Sequence, residues 1–403
     1  MTESESSGTA GLDAVQARPR ASRWRKLAPW GLLLVLAAGA YYWATHAGRG
    51  APNPTPSFSG DSRELTRTQI VPTLDTPIEP GKNVVWCATF LAGWKQLQQN
   101  VIKGPVQVSG ADEVCTRLNA AADPAQYMPP EVYYATAGTE DKGILQTIKK
   151  DMAAKFPRHE IPAFEGIAPG SFVLYSYLEA RVPFPVPYFD SRSPFTFTGS
   201  DGVKTPVRSF GIRKKDGDRY LKLRGQPQLL MAEWPGEQAR RSDQPPTAFA
   251  VDLCRDSYPC QIVVSCMERE DTLSNTLSVL KAKCDAYSAG PFPGSSSLEG
   301  KDILLVPDMF WQLEHHLAEL EGHRIESPPI QGQRIDVAFQ EIQFRLDRSG
   351  AELFSEAYAF VRSAGLGHYI CDRPFLVIMK QRGQETPFFV LWVDNADLLQ
   401  AWD

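Results

Sequence analysis

The carboxyl end of the chain, "CDRPFLVIMKQRGQETPFFVLWVD" (residues 371–394), decides the fold. It holds two apolar runs of strand length, at 375–379 and 388–393, joined by a polar stretch that contains Gly383. A run that is apolar at every position, and not only at alternate ones, is typical of a strand covered on both faces. The sequence therefore predicts a hairpin deep in the core, whose truncation unfolds the protein.

Composition bounds the class of protein. The chain has 403 residues, of which 43% are hydrophobic, so it is long enough to bury a large core. The net charge of -5 argues against a nucleic-acid partner, because there is no excess of positive charge to meet phosphates. No nucleophile-elbow, phosphate-loop or dinucleotide motif occurs, so we expect neither an enzyme nor a bound cofactor.

The amino end has the pattern of a membrane anchor. Residues 1–26 are polar and end in a basic cluster, and the uncharged apolar stretch that follows has about the 20 residues needed to cross a bilayer. We assign the anchor to residues 27–47, with the amino end in the cytoplasm because the basic cluster precedes it. The alternative is a cleaved signal peptide. Residues 48–70 then form a Pro/Gly/Ser-rich linker, and residues 71–403 form one extracytoplasmic domain, periplasmic or at the cell surface.

The rest of the chain mixes helical and strand patterns without regular alternation. The predicted helices are 83–102 and 140–156, and the predicted strands are 171–184, 220–225, 247–254, 260–266 and 339–350, with a strand followed by a helix in 301–322. The strands at 247–254 and 260–266 form a hairpin. The absence of a strand–helix alternation excludes a doubly wound sheet and predicts an α+β fold.

The order of segments resembles the serpin family of serine protease inhibitors. Serpin chains end on Pro-Phe, a buried strand, a polar turn, a second buried strand and Asn, as this chain does from Pro374 to Asn395. Upstream, "FRLDRSGAE" (344–352) is similar to the hinge that starts the serpin reactive loop, and 304–322 is similar to another serpin segment. The resemblance implies helices packed on three β-sheets, a buried C-terminal hairpin and an exposed reactive loop.

The resemblance also implies a mechanism, in which a protease cuts the loop and the loop then inserts into a sheet as a new strand. The hinge residues implied are Arg348, Gly350, Ala351, Leu353 and Phe354. Every second residue from Ala351 onward is small or apolar, which an inserted strand needs. However, Arg348 stands where inhibitory serpins have glutamate, and Leu353 and Phe354 are bulky. These departures predict a weak or non-inhibitory protein; the alternatives are a true suicide inhibitor and a serpin fold used only for binding.

The bait for a serine protease is predicted in the region from Arg362 to Ala364, with the bond between Arg362 and Ser363 as the candidate. An arginine in the loop would fill the acidic pocket of a trypsin-like protease through charge-assisted hydrogen bonds. The alternative is a solvent-exposed arginine in an ordinary loop.

The cysteines suggest one disulfide. Cys254 and Cys260 flank a five-residue turn in the predicted hairpin, and a bond between them is plausible in an exported chain. The alternative is a pair of buried thiols. No Cys-x-x-Cys motif occurs, so a zinc site is not expected.

Two further clusters are interpreted as solvated surface. His315, His316 and His323 lack the HExxH spacing of a metalloprotease, so a solvated helix face is expected and no metal. The basic stretch 213–224 is interpreted as a solvated hairpin that turns at residues 216–217.

Overall fold

The computed structural model of the protein describes residues 55–139, 142–157, 172–213, 217–236, 244–290, 298, 302–335, 338–351 and 368–402. The predicted anchor at 27–47 lies outside these residues. In the described part of the chain, no helix has both the length and the apolar character that a bilayer span requires.

The described residues form twenty strands. In chain order they are β1 Phe58–Asp61, β2 Thr68–Ile70, β3 Asn83–Cys87, β4 Tyr133–Thr139, β5 Phe172–Leu178, β6 Val182–Pro183, β7 Phe189–Asp190, β8 Phe195–Thr198, β9 Lys204–Val207, β10 Ser209–Ile212, β11 Gln228–Glu233, β12 Ala248–Asp252, β13 Cys260–Cys266, β14 Ile303–Pro307, β15 Met309–His316, β16 Phe339–Asp347, β17 Gly350–Ala351, β18 His368–Ile370, β19 Phe375–Gln381 and β20 Pro387–Val393.

The same residues form five α-helices and several shorter helical turns. The α-helices are α1 Thr89–Gln96, α2 Asp112–Ala120, α3 Ile144–Lys155, α4 Gly217–Gly225 and α5 Leu273–Ser288. A π-helical segment, Leu97–Ile102, continues α1. Three larger sheets and the helices packed on them confirm the α+β prediction.

The seven-stranded sheet contains the predicted hairpin at its centre. Its order is β11-β12-β13-β19-β20-β3-β2, so β19 and β20 have a neighbour on each side. All seven residues of β20 are buried, as are Phe375 and the four residues that follow it in β19. The turn contains Gly383 at φ +86°, a left-handed conformation that glycine adopts without strain. The prediction of a hairpin covered on both faces is therefore confirmed.

Two buried asparagines fix the end of this hairpin. The Asn83 amide donates to the side-chain oxygen of Asn395 at 2.8 Å, and the Asn395 backbone N–H donates back to Asn83 at 3.0 Å. Each polar group thus has a partner despite burial, which avoids the cost of an unsatisfied amide. The chain end is tied to β3 by side chains more than 300 positions apart.

The five-stranded sheet corrects two predictions. Its order is β1-β15-β16-β17-β6. The predicted helix in 301–322 is instead the strand β15, in which Met309, Trp311 and Leu313 are buried on one face. The predicted linker ends earlier than residue 70, because β1 lies along β15, with Phe58 opposite Trp311.

The region from 83 to 102 is also corrected, since its first five residues form strand β3 and only then does α1 begin. The four consecutive apolar residues of β3, Val84–Cys87, fit a buried strand as well as a helix, and pairing with β20 decides between them. The predicted helix at 140–156 is confirmed as α3, which packs on the two-stranded β4-β5 sheet through Ile148 and Met152.

The predicted strand at 220–225 is wrong. It belongs to α4, in which Tyr220 and Leu223 are buried three positions apart, on one helix face. The basic stretch 213–224 therefore does not form the predicted hairpin in the part that the structure describes. The remaining larger sheet has four strands in the order β18-β14-β10-β7.

Candidate functional site

The candidate site is the turn that links β16 to β17. After Asp347 the chain turns through Arg348 and Ser349, and β17 pairs back onto β16, with Gly350 opposite Asp347 and Ala351 opposite Leu346. On its other side β17 pairs with β6. The first two residues of the predicted loop are therefore the central strand of a three-strand ladder.

Gly350 is required at this position by the closeness of the neighbouring backbone. Its φ is +153°, and a Cβ added there would lie 2.5 Å from the carbonyl oxygen of Val182 and 3.0 Å from Cα of Pro183. A larger residue would have to push β6 away from β17. The sequence predicted a hinge glycine here from a resemblance, and the structure supplies the steric reason.

Backbone hydrogen bonds hold the turn against the segment that follows β6. Phe184 N–H donates to the Ser349 carbonyl at 2.8 Å, and Tyr188 N–H donates to the Arg348 carbonyl at 2.8 Å. Ser349 N–H donates to the Asp347 carboxylate at 2.7 Å. These bonds tie the turn to the segment after β6 and to the Asp347 side chain.

The Arg348 side chain adds an ionic anchor to the same segment. Its Nε donates to the Tyr188 carbonyl at 3.0 Å and lies 3.5 Å from the Asp190 carboxylate. The side chains of Arg348 and Asp190 are each only 13% exposed, so water screens the pair little. Arg348, predicted as a departure from the inhibitory pattern, thus holds the hinge turn in place.

Further buried charges lie next to the turn. Arg345, on β16, is 4% exposed and its guanidinium lies 2.5 Å from the Asp347 carboxylate. Burial raises the pKa of Asp308 well above its ordinary value, and the nearby carboxylates of Asp190 and Asp347 raise it further. Arg208 and Arg345 oppose that rise. The hinge therefore contains alternating charges in a largely dry environment.

Beyond the turn, β16 and β5 have edges without a strand partner among the described residues. Toward its amino end, β16 pairs with β15 only, and β5 pairs with β4 only. Burial, and after it the Glu341 carboxylate on β16, raise the pKa of Tyr175 on β5 to about 12, so these two side chains lie within electrostatic range of each other. Unpaired N–H and C=O groups along such edges accept a further strand.

Helix α1 lies against both of these strands. It makes its close approach to β5 at Gly93, where an added Cβ would lie 2.4 Å from a methyl group of Leu174. Because α1 packs against both strands, the free edges of β16 and β5 lie in one layer, on the same side of this helix. Because β17 runs antiparallel to β16, the chain direction at Ala351 is along the edge of β16.

The predicted loop ends in a different sheet from the one in which it begins. β18 pairs in parallel with β14 in the four-stranded sheet, with His368 opposite Ile303. Residues 352–367 thus connect the five-stranded sheet to the four-stranded one. The predicted hinge residues Leu353 and Phe354, and the predicted bait residues Arg362 and Ser363, lie outside the described residues.

The structure holds all seven cysteines as free thiols, so the predicted Cys254–Cys260 disulfide stays a prediction. Cys254 and Cys260 are free, buried thiols, although β12 and β13 do form the predicted hairpin. The Cys254 Sγ lies 4.0 Å from the Pro183 carbonyl oxygen. The pKa of Cys260 is raised to about 12, by burial and then by Glu131. The two thiols therefore face different surroundings.

His315 and His316 are on strand β15 and not on a helix face, and His323 lies beyond the end of that strand. His315 Nδ1 is 2.9 Å from the Ser62 hydroxyl, and burial lowers the pKa of this imidazole to about 4. His316 Nδ1 is 2.7 Å from the Glu321 carboxylate. The solvated helix predicted for this region is wrong, since both rings have partners in the fold.

Sequence reasoning missed Tyr188 and Asp190, which anchor the hinge, and the buried carboxyl of Asp308 near them. They lie 40 to 160 positions from the turn in the sequence, and a buried aspartate has the same letter as an exposed one. The one available signal was the charge-dense stretch 345–348, which indicated that counter-charges had to be near.

Comparisons with known proteins are limited to solved structures, since no family model and no curated protein matches the chain. The crystal structure of Serpin48 from the insect Tenebrio molitor is similar over 78% of this chain and 92% of its own, with 10% identity and a TM-score of 0.39. Serine protease inhibitor (serpin)-12 of Manduca sexta is similar over 80% and 95%, with 12% identity and a TM-score of 0.45. The thermophilic serpin tengpin, in its native state, is similar over 79% and 90%, with 9% identity and a TM-score of 0.42.

Proposed function

We propose that this chain is a serpin-like protein that presents residues 352–367 as bait to a serine protease outside the cytoplasm. The observation that carries the proposal is the hinge itself: the first two residues of the loop, Gly350 and Ala351, already form a strand between β16 and β6. An anchor at residues 27–47 holds the domain at the membrane.

The geometry supports strand insertion after cleavage. The strand that begins with β17 is antiparallel to β16, and the free edges of β16 and β5 lie ahead of it. A segment that adds to a sheet edge gains main-chain hydrogen bonds and places alternate side chains on opposite faces. Ala351, Ser355 and Ala357 are on the small or apolar face of the alternation in the sequence.

The bait residue is Arg362, followed by Ser363. A guanidinium binds a carboxylate at the base of a trypsin-like primary pocket in a bidentate manner, which a lysine does less specifically. The partner is therefore a serine protease that cuts after arginine.

Inhibition by this mechanism is weak. Trapping a protease requires the loop to insert before the acyl-enzyme is hydrolysed, so anything that slows insertion favours simple cleavage. Arg348 ties the turn to Tyr188 and Asp190, and Leu353 and Phe354 bring bulk to the first inserted positions. The protein is expected to act mainly as a substrate.

The test is incubation of the full-length protein, in detergent, with trypsin, followed by denaturing electrophoresis and thermal unfolding. We expect a nicked product, little covalent complex and a higher melting temperature after the cut, because a strand has been added. Arg362→Ala should lose the cut in the loop, while Leu353→Ala combined with Phe354→Ala should raise the fraction trapped as complex.

Two results would overturn parts of this proposal. A stable covalent complex as the main product would make the protein a true suicide inhibitor. A cut protein that melts no higher than the intact one would leave a fold of this architecture that serves only for binding.

The anchor has its own test. Washing the membranes with alkaline carbonate should leave the protein in the membrane pellet, and release of a soluble chain would show that the segment is a cleaved signal.

A further inference from the structure

Two cysteines, Cys266 and Cys371, meet at the point where the loop returns to the core. Both are free thiols in this structure, and both are completely buried. The Cys266 Sγ lies 3.8 Å from the carbonyl oxygen of Ile370, the residue that precedes Cys371. The Cys371 thiol, in addition to its burial, is within hydrogen-bonding reach of the Cys266 thiol, and both effects raise its pKa well above the ordinary value.

The strand registers bring the two side chains together independently of that contact. Cys266 on β13 is directly opposite Phe249 on β12, so these two side chains are on the same face of the sheet. The Phe249 ring packs edge-on against the Tyr369 ring, with centroids 5.6 Å apart.

Tyr369 is two positions before Cys371, and successive side chains of a strand alternate, so Tyr369 and Cys371 share one face. The Cys371 N–H donates to the Leu305 carbonyl at 3.0 Å, which extends the β14–β18 ladder through this residue. The pair of Phe249 and Cys266 therefore faces the pair of Tyr369 and Cys371.

From this arrangement we infer that Cys266 and Cys371 are joined by a disulfide when the protein folds in an oxidising compartment. A small-molecule disulfide, or an oxidoreductase that carries one, supplies the oxidant. The two thiols lose two protons and two electrons to form the S–S bond, and the oxidant's disulfide is reduced to two thiols. Because the native thiols are buried, the bond forms during folding and not by later attack on the native state.

The bond would connect two sheets beside the loop. It joins the end of β13, in the seven-stranded sheet, to the residue after β18, in the four-stranded sheet. The link closes a segment of about 100 residues, and a long closed segment restricts the unfolded chain more than a short one. The returning end of the loop is then fixed covalently, while its hinge end is held only by hydrogen bonds and charge.

The experiment uses the full-length protein, refolded from the reduced state with a mixture of oxidised and reduced glutathione. Free thiols are alkylated, and the protein is digested and mapped by mass spectrometry without reduction. We expect one linked peptide pair, containing Cys266 and Cys371, with Cys254 and Cys260 alkylated. Alkylation of both Cys266 and Cys371, or a linked pair of Cys254 and Cys260 instead, would overturn the inference.

Thermal unfolding provides the second measurement. Reductant should lower the melting temperature of the oxidised wild type by several degrees and should leave Cys371→Ser unaffected. Cys254→Ser, a substitution of another buried thiol, should keep the wild-type response to reductant. An equal response in wild type and Cys371→Ser would also count against the bond. Trypsin plays no part in these measurements, so failure here is separate from failure of the proposed protease-facing function.

Discussion

The C-terminal hairpin and the hinge turn are both parts of β-sheets, but they are held by different forces. Strands β19 and β20 are paired along their length on both sides and are almost entirely apolar. Strand β17 has only two residues, and its surroundings contain Arg345, Asp347, Arg348 and Asp308, all largely buried. The hairpin depends on hydrophobic burial, and the hinge depends on close backbone packing and charge pairing.

This difference shows how one chain combines a stable core, the hairpin, with a hinge segment that can exchange its strand partners. Apolar burial over many residues is not directional, and no single partner dominates it. A two-residue ladder fixed by a glycine and an ion pair has few contacts to lose, so a substitution there should loosen the hinge locally, whereas one in the hairpin should lower the stability of the whole domain more. Four variants, ordered by expected effect, test this division.

The largest effect is expected in the hairpin, from Phe389→Ala. The Phe389 ring stacks on Phe344 at a centroid distance of 4.7 Å and lies 6.3 Å from Trp311. Truncating such a buried aromatic should lower the free energy of unfolding by about 4 kcal/mol, through lost burial and the cavity left behind. Denaturant unfolding measures it. Leu221→Ala, at a side chain that is 64% exposed, is the control and should have little effect.

The next effect is expected at the hinge anchor, from Arg348→Met. Methionine keeps much of the apolar stem but leaves the Asp190 carboxylate, 3.5 Å away, without its cation. Removing one partner of a mostly buried pair should cost about 3 kcal/mol. Arg63→Met removes a surface cation that is 70% exposed, and it should give no measurable loss. Equal losses in the two variants would show that the hinge pair is no stronger than a surface pair.

Gly350→Ala should cost about 2 kcal/mol, because the residue has a conformation unfavourable for alanine and the new Cβ would meet Val182. Hydrogen exchange should show faster exchange at Phe184 and Tyr188, whose N–H groups bind the turn. Gly104→Ala, where an added Cβ meets nothing within 4 Å, is the matched control. An unchanged exchange rate at Phe184 would contradict the steric role assigned to Gly350.

The smallest effect is expected from Asp308→Asn, and it depends on pH. The folded protein holds the Asp308 proton more tightly than the unfolded chain, because burial and the carboxylates of Asp190 and Asp347 raise this pKa. The native state then binds more protons, so this group makes stability fall as pH rises above about 4. Asp308→Asn should remove that part of the dependence of stability on pH, and the stability of the variant relative to wild type should grow with pH.

Phe389→Ala is the control, since it removes no titratable group and should show the same loss of stability at every pH. An unchanged dependence on pH in Asp308→Asn would show that Asp308 is not its cause.

Particular residues show why some elements were predictable and others were not. The hairpin was predictable because residues 375–379 and 388–393 are apolar at every position, which admits few other arrangements. The segment of β15 has Leu and Glu residues that favour a helix, whereas in the structure Met309, Trp311 and Leu313 are buried at alternate positions, as in a strand. Pairing with β16 over eight residues outweighs that local preference.

The sequence by itself determined the α+β fold class and the buried hairpin with its turn at Gly383. Both follow from local patterns of apolar runs and turn residues, whereas the hinge glycine at position 350 was expected only from the resemblance to serpins. Only the tertiary structure decided what holds the hinge, since Tyr188 and Asp190 come from distant parts of the chain. It also decided which thiols meet: the six-position spacing of Cys254 and Cys260 indicated a pair, whereas strand register brings Cys266 to Cys371. Local patterns report on burial and backbone conformation, but contacts between distant residues depend on how the sheets assemble.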